Sequence, residues 1–145
     1  MNEAETRAEH IDPALAAAGW GVVEGSRIRR EYAIAPGRIE GHGKRGTALK
    51  VDYVLEYRNT KLAVIEAKAW DEALTAGVGQ AKDYAGKLAL RFAYATNGQG
   101  IYEIDMIPGP CGQARPAERE IAAYPTPEEL WALTFAEANA WRDRF

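Results

Sequence analysis

In the stretch LKVDYVLEYRNTKLAVIEAKAW, residues 49–70, two apolar runs carry charge where core side chains are expected: Asp52 in the first, and Glu66 and Lys68 in the second. Side chains alternate along a strand, so residues two apart share a face. If the runs pair antiparallel around RNTK, with Tyr57 facing Leu62, Asp52 falls opposite the stretch from Glu66 to Lys68. Neighbouring carboxylates repel, and burial raises that cost unless a cation neutralises them. A divalent ion with water ligands does so, and Mg²⁺ favours carboxylate and phosphate oxygens. Such an ion polarises a phosphodiester and lowers the pKa of a bound water. Asp52 and Glu66 are therefore candidate metal ligands. Lys68 is a candidate to orient or deprotonate the water and to stabilise the developing charge. Acid, acid and lysine at this spacing suit phosphodiester hydrolysis.

A plainer reading exists. Glu66 and Lys68 could be a solvated ion pair on an edge strand, which is worth little energetically. AVIEAKAW is apolar on both faces apart from these two residues. That marks a central strand, where charge needs a reason. Gln80 and Tyr84 in VGQAKDYA lie four apart on one helix face, within reach of a phosphate, a substrate backbone or the carboxylates. They also fit a core tyrosine with a polar neighbour. Glu5 suits a first helical turn on dipole grounds, and supplies a further metal or water contact if that helix covers the site.

The elements that must position these residues follow from periodicity. EAETRAEHIDPALAAAGW is a helix with Thr6, Ile11, Leu15 and Ala18 on one face, a kink or restart near Pro13, and Gly19 as its stop. Strands are expected from about Val22 and over RREYAI, then over the hairpin, where Val51, Tyr53, Leu55 and Tyr57 share a face. A helix is expected from about Leu74 to Leu90, and two strands, RFAYAT and GIYEID, join through NGQG. MIPGPCGQARPAE reads as a loop, and PTPEELWALTFAEANAWRDRF as a closing helix opened by Thr126 and Pro127. Trp131 and Phe135 are expected in the core; Trp141 and Phe145 further along the same stripe are candidates for a seam. The sum is an α/β sandwich around a mixed sheet.

At 145 residues the chain fits one domain, and its formal charge of −3 offers no general case for nucleic-acid binding. A local basic cleft stays open: Arg38, Lys44 and Arg45 in the Gly-rich GRIEGHGKRG are candidates to ride on a DNA backbone, or an ordinary solvated loop. Cys111 is the sole cysteine and allows no internal disulfide; with His42 and one other histidine it makes no zinc cluster. The acidic N-terminus is not a signal peptide and no apolar run reaches membrane-spanning length, so a cytoplasmic location is expected.

EAETR, VDYVL, AVIEAK, GQAKDYA, FAYATNG and YPTPEELW, in this order, resemble the N-terminal nuclease domain of the restriction (R, HsdR) subunit of type I restriction-modification enzymes. The resemblance covers nearly the whole chain. It implies a restriction-endonuclease-like PD-(D/E)xK core, a mixed sheet flanked by helices, and Mg²⁺-dependent cleavage of double-stranded DNA. Asp52 then looks like the motif aspartate, Glu66 and Lys68 like the (D/E)xK pair, Gln80 and Tyr84 like the QxxxY element, and Glu5 like the acid of the first helix. Val51 stands where the superfamily pattern has proline. Asn97 and Gly98 serve a turn, and the resemblance adds a substrate-side role to test. In that family the domain precedes an ATP-driven DNA motor, and the subunit works with methylation and specificity subunits. These residues hold no GxxxxGK[ST] loop. The expectation is a single endonuclease domain over 1–145, a fragment of a motor-containing subunit, with the helix of 126–145 as candidate seam to the next domain. ATP would act only through those further domains. Two rivals remain: a non-catalytic DNA-binding or docking module with vestigial carboxylates, and a standalone repair or defence nuclease.

Overall fold

The computed structural model describes residues 2–34, 39–40, 44–45, 49–106 and 117–135, with backbone alone for 39–40 and 44–45. The N-terminal segment is helical in three parts: α1 (Glu3–Thr6), a π turn (Arg7–Ile11) and α2 (Asp12–Ala17). Asn2 caps α1 by accepting from the Glu5 N–H. Pro13 has no N–H to donate to the carbonyl four residues back, and its ring crowds that carbonyl. The helix widens ahead of it, so the Asp12 N–H donates to the Arg7 carbonyl, five residues back. The break expected near Pro13 takes the form of this wide turn. Gly19 ends the segment at φ +102, where an added Cβ would lie 2.8 Å from Val23 Cγ2.

Six strands form one sheet in the order β1 (Ser26–Ile34), β4 (Leu49–Tyr57), β5 (Thr60–Ala67), β6 (Phe92–Thr96), β7 (Ile101–Asp105), β8 (Ala117–Ile121). The β5–β6 pair is parallel and the others are antiparallel, so the sheet is mixed as expected. β2 (Ile39–Glu40) and β3 (Lys44–Arg45) pair separately. Val22 belongs to no strand: it lies in a turn and is 72% exposed, and β1 starts only at Ser26. β8 falls partly within a stretch read as loop, because AEREI is a charged edge strand without apolar alternation.

The β4–β5 hairpin departs from the expected register. Arg58 and Asn59 form a two-residue turn, both with positive φ, so Tyr57 pairs with Thr60 and not with Leu62. A bulge between Leu55 and Glu56 then shifts the register, and Tyr53 faces Ile65. One residue further on, Asp52 comes opposite Glu66.

Each sheet face carries its own core. On one, Ile11, Leu15 and Trp20 from the N-terminal segment and Leu130 from α4 (Pro127–Thr134) pack on Tyr53, Leu55, Ile65 and Tyr94. On the other, Ala81, Tyr84 and Ala85 of α3 (Val78–Lys87) pack on Val54, Val64, Ala93 and Ile104. Val51 joins this second cluster, apart from the Tyr53–Leu55–Tyr57 face on which simple alternation puts it. The two small alanines let α3 lie close to the sheet. The indole N–H of Trp20 donates to the Pro125 carbonyl (2.9 Å), tying the N-terminal segment to the chain entering α4. Thr126 caps α4 through the Glu129 N–H. Trp131 and Phe135 pack against the first core, as expected, with Trp131 edge-on to Tyr57 at 5.8 Å. His42, Cys111, Trp141 and Phe145 lie outside the described residues. Among the described residues no helix is long and apolar enough to cross a membrane.

Candidate active site

β5 lies between β4 and β6, so Glu66 is in a central strand and only 4% exposed. The reason such a strand tolerates charge is a set of bonds across the hairpin. The Asp52 N–H donates to Glu66 Oε1 (3.2 Å), and the Ala67 N–H donates to Asp52 Oδ2 (2.8 Å). Each acid thus binds the backbone of the other's strand, which fixes both carboxylates at the mouth of the hairpin. Burial, then the charge of Asp52, pushes the Glu66 carboxyl up to about 8. Lys68 lies close enough to pull it partly back.

α3 supplies the other wall. Lys68 Nζ donates to Gln80 Oε1 at 3.0 Å, so the helix holds the lysine that follows β5. Tyr84, one turn on, is buried, and its hydroxyl is pushed up by that burial and by the charges of Glu66 and Asp52. The helix approaches closely because Gly77 has no side chain: a Cβ there would lie 3.3 Å from Glu66 Cβ and 3.6 Å from Lys68 Cε. Asp52, Glu66, Lys68, Gln80 and Tyr84, thirty-odd residues apart at the extremes, are therefore brought together where the hairpin meets α3.

Two residues come in from the N-terminal segment. Arg7 Nη2 donates to Asp52 Oδ1 and to Glu3 Oε1, each at 2.5 Å. Burial disfavours the Arg7 charge, but Asp52 and then Glu3 outweigh it, so its pKa moves further up. Glu5 is exposed, and its side chain accepts from Asn2. The first-helix acid tied to the carboxylate pair is Glu3, through Arg7. Sequence reasoning passed over both, although Glu3 and Arg7 sit at a helical i,i+4 spacing inside the EAETR stretch.

Arg7 is aimed at Asp52 by its neighbour. Thr6 is fully buried, and its Oγ1 donates to the Asn2 carbonyl and accepts from the Trp70 N–H (3.1 Å). The loop after β6 closes over it. Gly98 at φ +86 lies so near that a Cβ would meet Thr6 Cγ2 at 2.6 Å. Asn97 holds this loop by donating to the Glu72 carbonyl and accepting from the Gln99 and Gly100 N–H groups. Asn97 and Gly98 thus serve the turn and dock the N-terminal helix on it.

The donor set suits Mg²⁺ in kind. Two carboxyl groups from adjacent strands match an ion that keeps several waters of its own. Among the described residues no group of three or more His, Cys, Asp or Glu side chains is arranged to hold a metal. Arg38 lies outside the described residues; Lys44 and Arg45 form β3, and their side chains lie outside the description as well.

No family model matches the chain. It is 33% identical over 135 residues to the endonuclease subunit of the type I restriction enzyme EcoAI from Escherichia coli, a match covering 90% of this chain and 16% of that protein. It also superposes on a solved fragment described as an HsdR subunit of a type I restriction enzyme from Vibrio vulnificus. There the TM-score is 0.80 and the identity 35%, over 94% of this chain and 26% of the other. The chain therefore spans between about a sixth and about a quarter of the length of the relatives it matches. Agreement in sequence and in backbone over nearly all its length identifies the chain as an HsdR-like domain, similar to part of a type I restriction enzyme R subunit.

Proposed function

We propose that the chain is a Mg²⁺-dependent endonuclease domain of the PD-(D/E)xK type, hydrolysing phosphodiesters in double-stranded DNA. The observation that carries this reading is the Asp52–Glu66 pair, two cross-bonded carboxylates beside Lys68 in a central strand. Asp52 and Glu66 would hold the metal. When bound, the ion supplies charge to the phosphodiester and acidifies the attacking water. Lys68, anchored by Gln80, orients that water and stabilises negative charge as it develops on the phosphate. Tyr84, buried on the α3 side and near enough to feel the charges of Glu66 and Asp52, would shield the carboxylates from bulk water. Arg38, Lys44 and Arg45 would meet the DNA backbone. Within a longer R subunit, this domain would act beside an ATP-driven motor and with methylation and specificity subunits.

Calorimetric titration of Mg²⁺ or Mn²⁺ into the protein tests the reading, with Asp52→Ala and Glu66→Ala alongside and folding checked by circular dichroism. Binding that either substitution weakens at least tenfold, on the order of 1.4 kcal/mol, is the expected result. Wild type binding no better than the variants, with duplex DNA present, would sink it and put the docking-module reading first.

A further inference from the structure

Arg7 has no part in the chemistry above, yet it is the cation in direct contact with Asp52. A guanidinium carries five N–H donors in a planar fork. Nη2 spends its two on Glu3 and Asp52. Nη1 stands 3.9 Å from Glu31 Oε1, too far for a hydrogen bond, and Nε is buried with no partner. A part-buried cation with unused donors beside a carboxylate pair is short of acceptors. Arg7 also opens the π turn, a local departure from helix geometry that is often found at functional sites. The anchored Thr6 next to it keeps its stem in place.

We infer that Arg7 is a phosphate-binding residue of this same site, held on Asp52 in the DNA-free protein and passing to the phosphate oxygens of the substrate. The inference rests on the nuclease reading. A dication held by Asp52 and Glu66 would compete with the guanidinium for the Asp52 carboxylate and weaken the Arg7–Asp52 pair. Arg7 then needs another anion, and an incoming phosphate presents oxygens that match the fork two at a time. Glu3, one helical turn away, keeps the guanidinium from leaving the cleft.

The test compares wild type with Arg7→Gln and Arg7→Lys, folding checked by circular dichroism. Duplex affinity is read by fluorescence anisotropy with Ca²⁺ in place of Mg²⁺, Mn²⁺ affinity by calorimetry without DNA, and cleavage in single turnover with Mg²⁺. Arg7→Gln should hold Mn²⁺ as tightly as wild type or more so. It should bind duplex on the order of tenfold less tightly and cut about a hundredfold more slowly. Arg7→Lys should recover little, because an ammonium has no fork. In wild type, the Arg7 Nε–H resonance should shift when Ca²⁺ and duplex are added together and respond less to Ca²⁺ alone; no added shift with duplex overturns the inference without any variant. Weakened Mn²⁺ binding in Arg7→Gln also overturns it, since Arg7 would then only shape the carboxylates. A wild type that neither binds nor cuts duplex sinks the nuclease reading. A wild type that does both, matched by Arg7→Gln, sinks Arg7 alone.

Discussion

Lys68 Nζ donates to Gln80 Oε1 at 3.0 Å, joining the end of the motif strand to the helix that covers it. A lysine on a flexible four-carbon stem samples many rotamers, and one fixed acceptor narrows them. Gln80→Ala removes the acceptor and leaves the half-buried Lys68 without that bond. Cleavage in single turnover should fall by about tenfold to a hundredfold, through the rate and not through KM. Divalent-ion affinity should stay within twofold, about 0.4 kcal/mol, since Gln80 is not among the proposed metal ligands. An unchanged rate would show that Lys68 needs no anchor.

Glycine-to-alanine substitutions should separate by position. At Gly98, φ is +86 and the new Cβ would meet Thr6 Cγ2 at 2.6 Å, so both backbone and packing resist. Gly98→Ala should cost about 2 kcal/mol and lower Tm by several degrees. Gly79 and Gly86 have nothing within 4 Å of an added Cβ, so alanine there should stabilise by about 0.5–1 kcal/mol. Gly77 is the informative case. Its Cβ would press on Glu66 Cβ at 3.3 Å, a contact relieved by a few tenths of an ångström. The gain in chain entropy offsets much of that strain, so Gly77→Ala should change Tm little and activity clearly. Thermal melts of the four variants, with cleavage rates for Gly77→Ala, check the order.

Glu66 makes stability depend on pH in the metal-free protein. Its carboxyl is raised from 4.5 to about 8 by burial and by Asp52, so the folded state holds the proton more tightly than the unfolded chain. The sign follows: this contribution is full below about pH 4.5 and is lost as pH rises through about 8. In chelator, wild-type Tm should therefore fall across that window more steeply than that of Glu66→Gln, which has no proton to lose. Added Mg²⁺ should restore wild type at the alkaline end and leave the variant unmoved. Parallel Tm curves for the two proteins, with and without the ion, would contradict the pairing of Glu66 with Asp52.

Much of the candidate site was legible because its signal is local. Asp52 and Glu66 stand out as charges inside apolar strands, and a period of two relates Glu66 to Lys68, although β5 itself ends at Ala67 and Lys68 directly follows it. Gln80 and Tyr84 likewise share a helix face by spacing alone. The mixed sheet with flanking helices follows from the order of the periodic segments.

What required the fold is non-local. Asp52 meets Glu66 because a two-residue turn at Arg58–Asn59 and a bulge at Leu55/Glu56 together set the register, and a one-residue error there turns side chains to the opposite face. β8 has no apolar pattern to announce it; only pairing with β7 makes AEREI a strand. The contact of Arg7 with Asp52 spans 45 positions. It exists because Thr6 is locked against Trp70 and Gly98, which docks the N-terminal helix at the mouth of the hairpin. Spacing along a chain can say which residues share a strand or a helix face. Which helix comes to rest on which strand is decided by packing among elements far apart in sequence, and so by the tertiary structure alone.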